Sequence, residues 1–402
     1  MEGGNTMADV KISLSSNYAC VQPEIANVVI IGGGVMGMSA AWNLASRGVK
    51  GIVVLEQHEL GCGSSAKPMG GVRANFSDPN NIILGKRSLE KYGRFHEDFG
   101  VNIELSKVGY LFLARNEEEA ANLEVATQTQ NELGVNSYMV SPQQVHELNP
   151  FIDPASIVVG AYSPDDGYAC PAAAVDGYRR ACQSLGVTIL DHTEVRDITT
   201  AGGKIEAVLT NRGVIRANQV ICAAGAWSKR IGEMAGQELP VEPVRRMIGI
   251  TAQRPQAHAT VPFTLDLGTT FYMHNYYNAL LLGISHKEEV GFNREWTYEW
   301  LNDFNDAARI VAPSLVDPQL EAGWAGFYEN TPDHNAIIGA SNTVEGFYYI
   351  TGFSGHGFLQ GPAAGELIAD IVTNKESFLP HDAFTVDRFA VPNIGLTENH
   401  II

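Results

Sequence analysis

Three features of the sequence predict an α/β chain built on two sheets. They are a glycine turn between two short apolar strands, a second glycine loop opening a helix more than three hundred residues later, and a run of strands without crossover helices from about residue 240. Val28-Val29-Ile30-Ile31 reads as a buried parallel strand, because an uninterrupted β-branched run suits a strand covered on both faces. Gly32-Gly33-Gly34-Val35-Met36-Gly37 follows. Gly32 permits a sharp turn, Gly34 permits close approach of a pyrophosphate, and Gly37 permits tight helix–strand packing. The helix opened there carries Ala40, Ala41, Leu44 and Ala45 inward and ends at Arg47-Gly48. A second strand, Ile52 to Leu55, finishes in Glu56, nineteen residues past Gly37. A carboxylate there accepts hydrogen bonds from both hydroxyls of an adenosine ribose and repels a 2′-phosphate. Together these features specify a dinucleotide site without choosing between NAD and FAD.

Composition narrows the class. The chain has 402 residues, 45% hydrophobic and 18% charged, as expected of a globular protein with one large core or two closely packed ones. A formal net charge of −18 argues against nucleic acid and against an anionic membrane surface as partners. The five cysteines, Cys20, Cys62, Cys170, Cys182 and Cys222, form no C-x-x-C pair. Such a scattered set is neither a metal site nor a disulfide framework and suits a reducing, cytoplasmic setting. No apolar run approaches the roughly 20 residues of a membrane helix. Residues 1–26 are mixed and polar and read as a flexible arm without a signal peptide.

After Glu56 the stretch Gly61 to Arg73 is too rich in glycine for a helix and too long for a simple turn. Gly63, Ser64, Ser65 and Gly71 would let its backbone lie against a flat ligand and contact phosphates, and Arg73 is the first candidate for binding substrate. Helices are expected over 80–99, Glu117 to Leu133, from the Ser141-Pro142 cap, and from Pro171 to Leu185, with strands at Val108 to Leu113 and Val187 to Leu190. Thr193-Glu194-Val195 should bring the chain past an adenine. Val220 to Ser228, an apolar strand ending in Ala223-Ala224-Gly225-Ala226-Trp227, offers a second close approach to the nucleotide. From Val241 to Gly283 successive strands suit an antiparallel, substrate-facing sheet. A helix near Trp296 to Ile310 closes it.

The second glycine loop, Gly352-Phe353-Ser354-Gly355-His356-Gly357-Phe358-Leu359, leads into a helix placed at Pro362 to Val372. A helix N-terminus carries roughly half a positive charge and free N–H groups. Aimed at the pyrimidine end of an isoalloxazine, it would stabilise the negative charge of a reduced flavin. An NAD-dependent dehydrogenase has no use for such a loop, and a yellow purified protein excludes that alternative.

With these motifs in place, the chain from about Val28 to Val372 resembles the FAD-dependent amine and amino-acid oxidoreductases grouped with D-amino-acid oxidase, glycine oxidase and sarcosine oxidase. Tyr328-Glu329-Asn330-Thr331-Pro332-Asp333-His334 and the Gly352–Phe358 loop are most similar to sarcosine oxidase β-subunit-like proteins. The resemblance implies an α/β FAD-binding Rossmann-like domain (27–90, 155–238, 328–385) interleaved with an α+β substrate domain on an antiparallel sheet (91–154, 239–327), and a tail at 386–402. It also implies oxidation of the C–N bond of a small amino acid, or of an N-alkyl or cyclic one, to an imine by hydride transfer to flavin. Positions that hold flavin covalently in relatives carry Gly326, Lys67 and Ala172 here, which implies non-covalent FAD and no FMN. Leu281 and Leu359 stand where monomeric sarcosine oxidases carry an oxygen-activating and a carboxylate-gripping lysine. A dehydrogenase subunit passing electrons to a partner protein, a homo-oligomer, and a non-catalytic FAD-containing assembly protein are the alternatives that this leaves open.

Four residues are expected to act on substrate. Arg73 anchors a carboxylate, since guanidinium matches it in two-point geometry. Tyr272 and His274 share one face of a strand by alternation and meet the ligand together. His356 orients and hydrogen-bonds near the ring without acting as a base, whereas His286, beyond the next strand, belongs to the surface. No metal is expected.

Overall fold

A computed structural model describes residues 22–253, 260–285 and 289–390, together with Leu396, Glu398 and His400 of the C-terminal segment. The first 21 residues and His286 lie outside the described residues.

Eight strands form the first sheet. Six follow the order Ile337–Ala340, Phe347–Thr351, Gly213–Cys222, Ile25–Ile31, Ile52–Leu55, Thr188–Leu190, all parallel to their neighbours except Ile337–Ala340. Val195–Ala201 and Lys204–Thr210 extend Gly213–Cys222 as an antiparallel flap. The first strand starts at Ile25, inside the stretch expected as an arm to residue 26. Ile31 pairs with both Leu55 and Cys222, which brings three strand ends level. The loops beginning at Gly32, Glu56 and Ala223 therefore open along one edge, where sheets of this kind bind ligands.

The helix Val35–Ser46 buries Ala40, Ala41, Leu44 and Ala45 and packs against the helix Gly357–Val372. Gly365 makes this approach close: a Cβ there would lie 2.1 Å from the Ser39 hydroxyl oxygen. The later helix begins five residues before the expected start at Pro362. Proline inside a helix leaves the carbonyl four residues earlier without a donor. Here that carbonyl belongs to Phe358, and the Tyr92 hydroxyl donates to it at 2.7 Å, so the helix runs through Pro362.

The second sheet runs Leu320–Asn330, Glu242–Thr251, Ala279–Ile284, Phe271–Tyr276, Phe263–Asp266, Tyr110–Ala114, Val159–Ser163, Tyr138–Val140. It departs from expectation twice. Phe263–Asp266 is parallel to Tyr110–Ala114, because no hairpin joins these two distant segments and fixes their sense. Val159–Ser163 pairs with Tyr110–Ala114, so the domain boundary expected at residue 155 falls after Ser163. The outer face of the sheet packs Phe271, Met273, Leu280 and Leu282 under Trp300 and Phe304 of the helix Glu299–Val311. The inner face gathers Tyr110, Phe112, Ile248, Phe263, Leu265, Tyr272 and Leu281. Among the described residues, no helix is long and apolar enough to cross a membrane, and no group of three or more His, Cys, Asp or Glu is placed to hold a metal ion.

Candidate active site

One cavity is lined from both sheets. Its first half is the glycine turn. A Cβ on Gly32 (φ +115°) would lie 2.2 Å from the Ala223 carbonyl oxygen, so only glycine fits there. Gly34, Val35 and Met36 line the cavity beside it. Gly37 does not. It lies behind the turn, where a Cβ would come within 1.9 Å of the Gly32 oxygen; its part is helix–strand packing and not direct contact with a ligand.

Glu56 faces this turn. Its Oε2 accepts from the Gly33 N–H at 2.9 Å and its Oε1 from the His58 N–H at 3.0 Å, which fixes the carboxylate while leaving each oxygen a second lone pair. Val195 lines the same end, beside Glu194. Gly63, Ser64 and Ser65 form the facing wall: the Ser65 hydroxyl accepts from the Val35 N–H at 2.9 Å, and the Ser64 hydroxyl donates to the Phe327 carbonyl at 2.9 Å. Ala224, Gly225 and Trp227 close the opposite side. A glycine turn, a helix N-terminus and an oriented ribose-reading acid fit the adenosine diphosphate part of FAD. Farther in, Gly71, Gly355, His356, Gly357, Phe358 and Leu359 line the cavity at the start of the helix Gly357–Val372 and fit the flavin part. Gly355 (φ +95°) must be glycine, since a Cβ would strike the Tyr328 ring at 2.5 Å. Gly326 and Lys67 are neighbours, a Cβ on Gly326 falling 2.7 Å from the Lys67 Cβ, so this wall of the cavity carries no cysteine or histidine at these two positions.

Beyond the flavin part the lining turns aromatic around Arg73, which is 3% exposed. Its Nη1 donates to the Asn75 carbonyl at 3.0 Å and its Nη2 to the His400 carbonyl at 2.8 Å, while the guanidinium lies 3.9 Å from the Phe76 ring centre. Among the described residues no carboxylate oxygen comes within ion-pair distance of it. The C-terminal segment, expected only as a tail, helps build this end. Glu398 accepts from the Ser77 and Asp78 N–H groups at the start of the helix Pro79–Gly93, and His400 packs on Phe112 with ring centres 4.9 Å apart. Burial pulls the His356 pKa down to about 3, with Arg73 adding to the shift, so this ring is neutral and sits edge-on to Phe76.

Tyr272 enters the cavity as its strand alternation predicts. Its ring lies over Gly283 of the next strand, where a Cβ would come within 2.1 Å. His274 points the same way yet does not reach the cavity. It is sandwiched between Tyr168 and Phe263, with Nε2 2.9 Å from the Met69 carbonyl and Nδ1 2.6 Å from that of Asn275. Both ring nitrogens face backbone carbonyls, to one of which the neutral ring donates, since burial pulls its pKa down to about 4. The expectation that it touches substrate is corrected: the loop carrying Met69 covers it, and strand alternation alone does not reveal a covering loop.

Sequence reasoning missed Arg246, Tyr110, Phe263 and Glu329, all of which line the cavity. Arg246 precedes Ile248 by two in a strand, and Tyr110 precedes Phe112 likewise, so alternation places each pair on one face; nothing in the sequence says that this face is the inner one. Glu329 lay within a recognised motif without a role. It is 8% exposed, its Oε1 accepts from the Phe353 N–H at 3.3 Å, and burial raises its pKa to about 7. Because the folded value lies above the unfolded 4.5, the stability it contributes is full below about pH 4.5 and is lost as pH rises through 7. Urea unfolding of the flavin-free protein should show Glu329→Gln gaining about 3 kcal/mol on the parent between those limits; a difference independent of pH contradicts the assignment.

Comparison with known proteins agrees with this geometry. Residues 27–371 match the DAO family of FAD dependent oxidoreductases, and the chain belongs to that family. It is 30% identical over 400 residues to FAD-dependent oxidoreductase domain-containing protein 1 of Bos taurus, covering 87% of this chain and 82% of that one. It is 25% identical to mitochondrial dimethylglycine dehydrogenase of Rattus norvegicus, covering 90% of this chain and 44% of the longer relative. Among solved structures, L-proline dehydrogenase from P. horikoshii superposes with a TM-score of 0.86 at 30% identity, covering 92% of this chain and 99% of the other. The protein is therefore an FAD-dependent oxidoreductase of a family whose members include enzymes acting on amino acids.

Proposed function

We propose that the protein oxidises the C–N bond of a small amino acid, above all an N-alkyl or cyclic one, to an imine that water then hydrolyses. The observation that carries this reading is Arg73, a buried guanidinium that among the described residues is bonded only to neutral carbonyls, in the cavity that fits FAD. Such a cation has a place for a carboxylate, and a charge-assisted two-point pair would fix the rest of the substrate. FAD, when bound, supplies the acceptor for a hydride. The chain's own residues do the remainder. Arg73 grips the carboxylate, the Tyr110, Phe263 and Tyr272 rings shield the reacting C–H from water, and neutral His356 holds its place beside the helix start. The substrate nitrogen enters unprotonated, and its lone pair forms the C=N bond as the neighbouring C–H departs with its electron pair.

The names of L-proline dehydrogenase and dimethylglycine dehydrogenase among its relatives support a secondary or tertiary amine bearing a carboxylate. Leu281, buried in the inner face, stands where a lysine would be needed to assist oxygen, which favours another acceptor, such as a partner protein. Turnover of N-alkyl amino acids with an artificial acceptor should release the primary amino acid and an aldehyde in equal amounts. Recovery of every N-alkyl, cyclic and primary amino acid unchanged overturns the reading.

A further inference from the structure

A ribityl chain joins the adenosine diphosphate of FAD to its flavin, and one acid stands between the loops that fit those two parts. Glu329, near the end of the strand Leu320–Asn330, lines the cavity. On one side its Oε2 meets the turn Gly225–Trp227, so closely that a Cβ on Gly225 would lie 2.9 Å from it. On the other side its Oε1 accepts from the Phe353 N–H at 3.3 Å, and its backbone carbonyl accepts from the Ser354 N–H at 3.2 Å. Gly225 belongs to the wall that closes the adenosine diphosphate part, whereas Phe353 and Ser354 lead into Gly355 to Phe358, which fit the flavin part. A ribityl chain has to pass between these two loops, where the Glu329 carboxyl lies.

The protein itself uses little of this carboxyl. Among the described residues, Oε2 is buried without a hydrogen-bond partner. Burial raises the acid to about 7, opposed only by the Phe353 N–H. A buried carboxylate with a single donor is costly, whereas the neutral acid has an O–H to give and lone pairs to offer. A chain of hydroxyls supplies partners of both kinds. The other titratable groups against Glu329 do not change charge near pH 7. Cys222 is pushed up to about 11, His356 is held at about 3, and burial raises Tyr328 above its ordinary value. Across the strand pair stands Pro243, and its neighbour Glu242 is paired with Lys229. Asp166, the other acid raised to about 7, bonds the Ala74 N–H at 3.0 Å and does not line the cavity.

We propose that Glu329 binds FAD as a neutral acid, hydrogen-bonded to hydroxyls of the ribityl chain, and thereby couples retention of the cofactor to pH. Ionisation removes the O–H and leaves a buried anion beside the chain. FAD is therefore held tightly below about pH 7 and loosened above it. The assignment concerns the cofactor alone and does not rest on the amine-oxidation reading.

The test is the release of FAD from the FAD-loaded protein on dilution, read by the fluorescence of free FAD across the range on both sides of neutrality. The dissociation constant should stay level up to about pH 7 and then rise about tenfold per pH unit, as loss of one proton requires, until the bound acid itself ionises. Glu329→Gln, which keeps a donor and an acceptor without a charge, should hold FAD at the parent's low-pH affinity throughout. Glu329→Leu should weaken FAD by about tenfold even on the acid side, the loss of one or two hydrogen bonds. A cofactor analogue with a hydroxyl-free pentyl chain in place of ribityl separates contact with the chain from mere keying of the two loops. It should bind more weakly than FAD and equally at every pH. Should Glu329→Gln not fold, the parent protein with the two cofactors carries the test. A level profile for FAD in the parent, an affinity that rises with pH, or the same slope for FAD and the analogue overturns the assignment. A slope that persists in Glu329→Gln overturns it as well. In each of these cases the amine-oxidation reading stands, since substrate does not enter the experiment.

Discussion

Arg73→Leu is expected to weaken binding of the amino-acid substrate by about 100-fold or more while leaving the flavin spectrum and FAD retention unchanged. Removing one partner of a buried, hydrogen-bonded charge pair costs about 2–5 kcal/mol, and each 1.4 kcal/mol is a factor of ten. Arg73→Lys should recover little of the loss. The Asn75 and His400 carbonyls hold the guanidinium plane against Phe76, and an ammonium offers no second donor in that plane. Titrating reducing substrate against the two variants and the parent separates affinity from the limiting reduction rate. The affinity should carry most of the loss, and a variant that binds as the parent does would place the carboxylate elsewhere.

The second large effect is expected at Gly37. A Cβ there meets the Gly32 carbonyl oxygen at 1.9 Å, and neither the helix nor the turn has room to yield, because Gly32 is itself pressed against Ala223. Gly37→Ala should therefore yield protein that folds poorly or emerges colourless, read as flavin absorbance per protein against the parent. Gly93, at the end of an outer helix, has nothing within 4 Å of its Cβ position, so Gly93→Ala should retain the full flavin content. Yellow Gly37→Ala protein with full flavin content contradicts the packing described here.

What the sequence revealed and what it concealed divides along the range of the interactions. The Val28–Gly37 turn with Glu56 was legible because strand, turn and acid are local, and each needs particular residue types. The capping box of Ser141 and Gln144 was half legible, the serine and Pro142 having marked the helix start that the structure places at Pro142. The sheet joined by Val159–Ser163 was not, since an apolar pattern records burial but not the partner strand. Arg73 was singled out from its position at the end of a glycine-rich stretch. Its companions, the His400 carbonyl, the Tyr110 ring and Arg246, come from segments far away in the chain and meet only in the folded molecule. His274 shows the converse: its face was correctly read, but the Met69 carbonyl that covers it lies 205 positions away.

The central claim, oxidation of an amino acid's C–N bond in this cavity, is tested most directly by anaerobic titration of the yellow protein. Sarcosine, L-proline, glycine and D-amino acids are added in turn, the flavin absorbance is followed, and air is then admitted. Bleaching by an N-alkyl or cyclic amino acid is the predicted result; prompt recovery in air defines an oxidase, and bleaching that persists in air defines a dehydrogenase awaiting another acceptor. Flavin that stays oxidised with every one of these, yet bleaches with dithionite, would contradict the account.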